Sequence, residues 1–191
     1  ADAEIQQCAQ CHARRDPLTD GNPPVGTAFH DAYRLALLRP GLYHADGQIE
    51  GEVYVYGSFL QSTMYERGVR CSDCHDPHAA RVARAGDAVC TRCHSPAGDR
   101  RFAGLRRADY TDPAHHLHDP ASAGARCVSC HMIERVYMGV DGRRDHGFRV
   151  PRPDLAAAIG TPDACTDCHA EEGAAWAAAV VATRFPESPH R

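Results

Sequence analysis

The order of apolar and polar residues predicts regular structure near the start of the chain. Residues 27–38, TAFHDAYRLALL, repeat apolar side chains at helical spacing before Pro40, which indicates a short amphipathic helix. Apolar and polar residues alternate within residues 42–57, on either side of the dipeptide Asp46-Gly47. This pattern predicts a β-hairpin with its turn at that dipeptide.

Two further helices are predicted from local signals. Residues 58–68 open with Ser58 and Gln61 at capping-box spacing, so a helix is expected to begin there. Residues 171–185, EEGAAWAAAVVATRF, form an alanine-rich run that stops at Pro186. This run predicts a C-terminal helix, because alanine is the best helix former and proline ends a helix.

The remaining sequence is rich in turn residues. The Pro, Gly and Asp content of residues 95–126 predicts a loop. No run approaches the roughly 18 apolar residues of a membrane-spanning helix, so no membrane span is expected. The expected fold class is mainly α and irregular, wrapped around cofactors and with one small β-hairpin, in a single domain over residues 1–191.

The composition leaves little material for an aliphatic core. The 191 residues include 16 Gly and 13 Pro, while Leu, Ile, Val and Phe are scarce. Something other than aliphatic burial must therefore organise the chain. The formal net charge of -4 at pH 7 excludes a basic nucleic-acid-binding surface, so no nucleic acid partner is expected.

The ten cysteines fall into five C-x-x-C pairs, and a histidine follows each pair at once. C-x-x-C-H is the attachment motif of c-type haem, in which two thiols add to the haem vinyl groups and the histidine binds the iron from one face. We therefore expect five covalent haems, whose apolar rings supply the missing core. Numbered 1 to 5 along the chain, the motifs contain the pairs Cys8/Cys11, Cys71/Cys74, Cys90/Cys93, Cys127/Cys130 and Cys165/Cys168, followed by His12, His75, His94, His131 and His169.

Zinc sites and disulfides are the alternatives for so many cysteines. Neither explains why histidine follows all five pairs when the chain has only 13 histidines. The motifs begin at positions 8, 71, 90, 127 and 165, an irregular array rather than a solenoid of fixed period. Covalent haem attachment belongs to exported proteins, so a periplasmic or cell-surface location is expected, and a signal peptide removed before Ala1 would fit it.

Each iron also needs a ligand on its second face. The five motif histidines leave eight others, His30, His44, His78, His115, His116, His118, His146 and His190. This surplus predicts at least four low-spin haems with two histidine ligands and low reduction potentials. The three methionines are the rival ligands and would raise the potential, but Met132 directly follows His131 and is excluded from that iron.

His78 follows His75 by only three residues. Three residues span about 10 Å, which is too short to pass round the porphyrin rim to the other face of the same iron. We therefore expect His78 to bind the iron of a different haem and to hold two haems close together. The alternative is a surface histidine after the turn formed by Asp76 and Pro77.

Three histidines lie in the segment AHHLH, residues 114–118, just before motif 4. Neighbouring His115 and His116 cannot both face one iron, so two ligands are expected here, His118 and one of the other two. His190, close to the chain end, is expected in a frayed tail. The other candidates lie in an arginine-rich loop, on the first predicted helix and, more weakly, on the hairpin: His146, His30 and His44.

Four segments carry a resemblance to a known family: GSFLQSTMYERGVRCSDCHDPH, AHHLHDPASAGARCVSCHM, RRDHGFRVPRPDL and ACTDCHAEEGAAW. They resemble the doubled-CXXCH, cytochrome c554-like multihaem family, especially members fused to tetratricopeptide repeats. The match covers most of residues 50–180. It implies a mostly irregular and helical, haem-wrapped fold with haems in close stacked and perpendicular pairs. No tetratricopeptide repeat occurs within the 191 residues.

Two classes of function fit these features. The first is electron transfer through closely packed haems, with other redox proteins or copies of the chain itself as partners. A head-to-tail filament, with the haems of motifs 1 and 5 at the contacts and His30 or His44 donated across them, is the assembly expected in that class. The second is a nitrite, hydroxylamine or sulfur-oxyanion reductase with one open-sided haem. Pentahaem nitrite reductases, similar in haem count, use a CXXCK lysine, and this chain has no lysine; the carrier is therefore favoured.

Overall fold

The computed structural model describes residues 2–190 and consists mainly of short helices joined by turns. Most helices are a single turn long, as the many glycines and prolines lead one to expect. The ten helices are α1 (Asp2–His12), α2 (Phe29–Ala32), α3 (Tyr56–Phe59), α4 (Thr63–Glu66), α5 (Cys71–Cys74), α6 (Ala88–Thr91), α7 (Pro113–His116), α8 (Cys127–His131), α9 (Pro153–Ile159) and α10 (Gly173–Arg184).

Three separate pairs of antiparallel strands complete the regular structure. They are β1 (Arg15–Pro17) with β2 (Tyr33–Leu35), β3 (His75–Asp76) with β4 (Arg81–Val82), and β5 (Glu134–Tyr137) with β6 (Asp141–Arg144). The last pair is closed by a tight turn in which Met138 and Gly139 have φ values of 52° and 77°. Two successive positive φ angles are typical of the type I′ turn that suits a twisted hairpin.

The buried apolar side chains lie mainly in the first third of the chain. One cluster joins α1, α2 and α3 through Ile5, Phe29 and Tyr56, which are 2%, 0% and 6% exposed. A smaller second cluster consists of Leu42, Tyr43, Ile49 and Val53. Phe29 is the centre of the first cluster, because its ring lies 5.0 Å from that of Tyr56 and 5.5 Å from that of Tyr33.

The rest of the chain buries very little apolar surface. Between residue 60 and residue 190, the buried apolar side chains are Pro153, Ala156 and Ala177. They lie where α9 packs against α10. Four of the five motifs belong to this coreless part of the chain, which agrees with the inference from composition that cofactors must supply its interior.

The helix predicted for residues 27–38 is wrong beyond its first turn. The chain forms α2 and then enters strand β2, which pairs with β1 in the register Arg15 to Leu35. The amide of Ala36 donates to the carbonyl of Arg14 at 3.0 Å and extends this pairing. Long-range strand pairing therefore overrides the helical spacing of the apolar residues.

The hairpin predicted for residues 42–57 is only a tight loop. Gly47 adopts a positive φ of 85°, but the pairing is limited to a single bridge between Tyr43 and Ile49. The amide of Ile49 donates to the Asp145 carboxylate at 3.2 Å, so a distant segment takes the donor that a second strand would use.

The helix predicted for residues 58–68 is divided into α3 and α4. Its cap is Ser62 rather than Ser58, because the Ser62 hydroxyl accepts the amide of Tyr65 at 3.1 Å. The hydroxyl of Ser58 instead donates to the carbonyl of Val55 at 3.0 Å. The predicted C-terminal helix is confirmed as α10. The predicted loop of residues 95–126 agrees with a segment whose regular structure is the short helix α7 and a few turns. Among the described residues, no helix has both the length and the apolar character to span a membrane.

Candidate haem-binding sites

Each motif contains a single helical turn; at motif 2 this turn is α5, and His75, whose amide donates to the carbonyl of Cys71, already begins β3. Motif 1 forms the end of α1, and motif 4 forms α8. Motif 5 lies in a turn in which the amide of His169 donates to the carbonyl of Cys165 at 2.9 Å, and His94 bonds to Cys90 in the same way at 2.9 Å. In a helical turn, residues i, i+3 and i+4 share one face. Both thiols and the imidazole of a motif therefore face the same side, as attachment of one haem requires.

None of the ten cysteines is joined to another, so the fold gives no support to the disulfide alternative. Burial raises the pKa of the Cys71 thiol to about 12, with the neighbouring Cys8 thiol as the next cause. Burial likewise raises the pKa of Cys165 to about 11. Within residues 2–190, no three His, Cys, Asp or Glu side chains form a cage that would hold a metal ion by themselves. The donors form five separate turns, not one pooled zinc site.

Three motif histidines are paired with a histidine from another part of the chain. An imidazole nitrogen binds a transition metal at about 2.0 Å, so two rings on opposite faces of one iron have centroids about 6 Å apart. The observed centroid distances are 6.2, 6.1 and 6.1 Å, with interplanar angles of 23°, 8° and 37°. They belong to His75 with His146, His131 with His115, and His169 with His118.

One ring of each pair has its Nδ1 atom bound to a backbone carbonyl. A carbonyl only accepts a hydrogen bond, so the proton lies on Nδ1 and the lone pair on Nε2. Metal-binding histidines are commonly oriented in this way. The bonds run from His146 to the carbonyl of Arg144 at 2.9 Å, from His131 to that of Arg149 at 2.8 Å, and from His118 to that of His116.

The environment of these histidines favours the neutral, metal-binding form. Burial is the largest cause that lowers the pKa of His75, His94, His115 and His146. For His75, the charge of the nearby His12 ring lowers the pKa further. A neutral imidazole keeps a lone pair for a metal, so the donor set fits haem iron.

Four other candidates for the second axial position are not paired with a motif histidine. The exposed ring of His30 lies edge-on to the preceding phenylalanine, 5.1 Å away. His78 is exposed, and its amide donates to the carboxylate two residues earlier at 3.1 Å. The ring of His116 bonds to the carbonyl of Thr111 at 3.2 Å, and the amide of His44 closes the loop of residues 44–48.

The histidines of motifs 1 and 3 have different surroundings. Within residues 2–190, neither ring has a second imidazole at the 6.1–6.2 Å spacing of the other three. His12 is exposed at the end of α1. The ring of His94 lies 6.0 Å from that of Tyr110, whose hydroxyl donates to the carbonyl of Arg106 at 3.0 Å. The sequence did not single out Tyr110, although its place between two motifs is visible there.

A comparison with known proteins identifies the kind of fold. No family profile matches the sequence, and no curated protein matches it as a relative. The fold is similar to that of a cytochrome. One similar structure is the outer cell wall cytochrome OcwA, with a TM-score of 0.67 and 21% sequence identity.

The similarity covers 92% of this chain and 50% of the other, so this chain spans about half the length of OcwA. It confirms the expected mainly α and irregular fold, with several small antiparallel strand pairs where one hairpin was expected.

Proposed function

We propose that the chain is an electron-transfer protein that binds five c-type haems in one domain. The observation that carries this proposal is the set of three imidazole pairs, each made of a motif histidine and a distant histidine at 6.1–6.2 Å. The resemblance of the motifs to the cytochrome c554-like family and the cytochrome fold support it. When bound, haem iron supplies reversible one-electron chemistry.

The residues of the chain suit a carrier because they leave no room for substrate at the paired sites. When haem is bound, the two thiols of each motif would fix its edge and the motif histidine would hold one face. At motifs 2, 4 and 5, a second imidazole would hold the other face: His146, His115 and His118. A haem held by the protein on both sides would exchange electrons and leave no place for a substrate on its iron.

Location and partners follow from the same proposal. Covalent haem attachment is a property of exported proteins, and OcwA is described as an outer cell wall cytochrome. We therefore place this protein in the periplasm or at the cell surface. Its partners are other redox proteins or further copies of the chain.

The experiment that tests this function is a mass and spectrum of the purified holoprotein. We expect the mass of the chain plus five haems and a ferric spectrum with at least three low-spin irons that have two histidine ligands. Fewer haems, or a spectrum dominated by high-spin iron, would contradict the proposal.

A second candidate function is favoured by motifs 1 and 3. Because His12 and His94 have no paired imidazole, their haems offer a face to a small molecule, as a nitrite, hydroxylamine or sulfur-oxyanion reductase requires. Arg100, Arg106 and Arg107, near motif 3, have no carboxylate within ion-pair distance among the described residues and suit an anionic substrate or haem propionates. Consumption of nitrite, hydroxylamine or sulfite by the reduced holoprotein separates the two functions: a reductase turns the molecule over, whereas a carrier with an open haem face binds it without reducing it.

A further inference from the structure

Neighbouring motifs are joined by side chains that are neither haem-binding thiols nor axial histidines. At the first junction, the Glu4 carboxylate of α1 accepts the amide of Ser72, inside motif 2, at 2.8 Å and its hydroxyl at 3.1 Å. At the second junction, the guanidinium of Arg92, inside motif 3, donates to the backbone carbonyl of Asp73, inside motif 2, at 2.8 Å. The Asp73 carboxylate also binds Arg101 at 2.6 Å.

The remaining two junctions continue in the same order. Asp87, which precedes α6 and motif 3, accepts the amide of Cys127 in motif 4 at 3.2 Å. Arg135, just after motif 4, binds the carboxylate of Asp167 inside motif 5 at 2.7 Å. At each junction, therefore, a residue in a motif or close to it in the chain contacts the next motif along the sequence.

The thiols show the same succession. Cys71 of motif 2 lies close to Cys8 of motif 1, and the thiol of Cys90 in motif 3 lies close to that of Cys127 in motif 4. Cys165 of motif 5 lies near Cys130. Since the thiols bind the haem edge, adjacent thiols bring haem edges together.

Exposure marks the two ends of this arrangement. Eight of the ten cysteines are partly buried, and the two exposed ones are Cys11 of motif 1 and Cys168 of motif 5. The motif histidines agree only in part, because His12, His75 and His169 are exposed whereas His94 and His131 are partly buried. Motifs 3 and 4 are therefore interior, and motifs 1 and 5 are outermost.

We propose that the five haem sites form a single file in sequence order, with motifs 1 and 5 as its ends and with Arg101 and Asp73 as the positioning residues of the junction between motifs 2 and 3. This inference rests on the proposed electron-transfer function. Each step oxidises one iron from ferrous to ferric and reduces its neighbour from ferric to ferrous, and no bond or proton changes place. A reduced one-electron donor supplies the electron at one end, and an oxidised acceptor takes it at the other.

The second junction is the one where positioning by side chains is most visible. The Arg101 guanidinium holds Asp73 at 2.6 Å and Asp99 at 3.1 Å, with side chains that are 48%, 15% and 16% exposed. It thus ties the loop after motif 3 to the helix of motif 2. Because electron transfer slows steeply as the gap between haem edges widens, loss of this contact slows the step between these two sites.

Removal of one interior site tests the order of the file. Cys90→Ala with Cys93→Ala leaves motif 3 without haem, and Cys165→Ala with Cys168→Ala does the same for motif 5 as the matched control. Each holoprotein receives less than one electron from a flash-generated flavin semiquinone, and freeze-quench electron paramagnetic resonance follows its redistribution. Mass spectrometry confirms four haems in each variant.

In the parent and in the motif 5 variant, we expect redistribution at a rate independent of protein concentration. In the motif 3 variant, the final phase is expected to scale with protein concentration, because electrons must pass between molecules. A concentration-independent final phase in that variant overturns the single file. If the parent itself shows no intramolecular redistribution, the proposed function fails and not merely the order.

Variants of Arg101 test the positioning role without removal of a haem. Arg101→Gln removes a positive charge, which stabilises the more positive ferric form of a neighbouring haem. The ferric-to-ferrous ratio of that haem at fixed potential is therefore expected to rise about two- to fivefold. Arg101→Lys keeps the charge but not the fork to two carboxylates. We expect it to keep the parent potentials and still to slow redistribution.

The control is Arg34→Gln, because the ion pair of Arg34 with Asp16 at 3.0 Å is 73% and 68% exposed and lies outside the junctions. It is expected to change neither the potentials nor the rate. If both Arg101 variants redistribute electrons at the parent rate, Arg101 is not a positioning residue.

Discussion

Helix α7 carries two adjacent histidines in different surroundings, and this allows a matched test of haem ligation. The ring of His115 lies 6.1 Å from that of His131 and is nearly parallel to it, at 8°. The ring of His116 instead donates to the carbonyl of Thr111 at 3.2 Å. We expect His115→Ala to remove the second axial ligand of the motif 4 haem while the thioether bonds keep that haem attached.

The expected change in spin state follows from the number of paired histidines. The three paired irons of the parent become two, so one iron of the expected five changes from low spin to high spin. Its reduction potential rises, because the lost imidazole stabilised ferric iron. In His116→Ala the spin states stay unchanged. The ring loses two hydrogen bonds, one to the carbonyl of Thr111 and one from the amide of His118, which lowers the free energy of unfolding by about 1–3 kcal/mol.

Electron paramagnetic resonance and spectroelectrochemical titration of the ferric holoproteins measure both effects. The quantity to compare is the difference between each variant and the parent, because motifs 1 and 3 contribute their own signals. Equal high-spin gains in the two variants, or a gain only in His116→Ala, would show that the pairing of His115 with His131 does not represent haem ligation.

Further predictions concern stability and a rival ligand. Phe29→Ala empties the centre of the N-terminal cluster, where Phe29 is 0% exposed. It is expected to lower the free energy of unfolding by about 3–5 kcal/mol, as measured by denaturant titration. The control Leu37→Ala, at a residue 76% exposed, should stay within about 0.5 kcal/mol of the parent. Gly160 ends α9 with a φ of 73°, so Gly160→Ala should cost about 1 kcal/mol, whereas Gly104→Ala, in open space without positive φ, should cost less. The exposed position of His78 leads us to expect a parent-like spectrum for His78→Ala; a new high-spin iron would instead support the ligation predicted from its sequence position.

The fold was predictable where its causes are local. Helix α10 follows from a run of alanine and valine that ends before Pro186, and no distant contact is needed to define it. Strand β2 was not predictable from its own residues, because its partner β1 and not its periodicity determines it. The hairpin of β5 and β6 was missed because its turn uses Met138 in place of the usual asparagine or aspartate.

The same distinction applies to the sites. Attachment of one haem needs two thiols and an imidazole on one helical turn, so five motifs are visible as contiguous residues. The second imidazole comes from any part of the chain that the fold brings near, and sequence spacing alone does not select it. His146, His115 and His118 were among the candidates, but so was His30, on a predicted helix, and it is placed on the surface.

The scarcity of buried apolar side chains after residue 60 decides what the polar contacts between motifs do. Exposed ion pairs contribute about 0–1 kcal/mol each, whereas ordering a residue costs roughly 1–2 kcal/mol in backbone entropy. The ion pairs of Asp73 and Asp167 and the hydrogen bond of Asp87 therefore fall far short of what ordering this part of the chain requires. If the proposed haems are bound, burial of their rings supplies most of the favourable free energy, because a large apolar plate is stabilised wherever the chain covers it. Such burial is non-directional, so it does not choose among arrangements of the plates. The directional contacts at the junctions make that choice, and their contribution is to the geometry of the haem array more than to its stability.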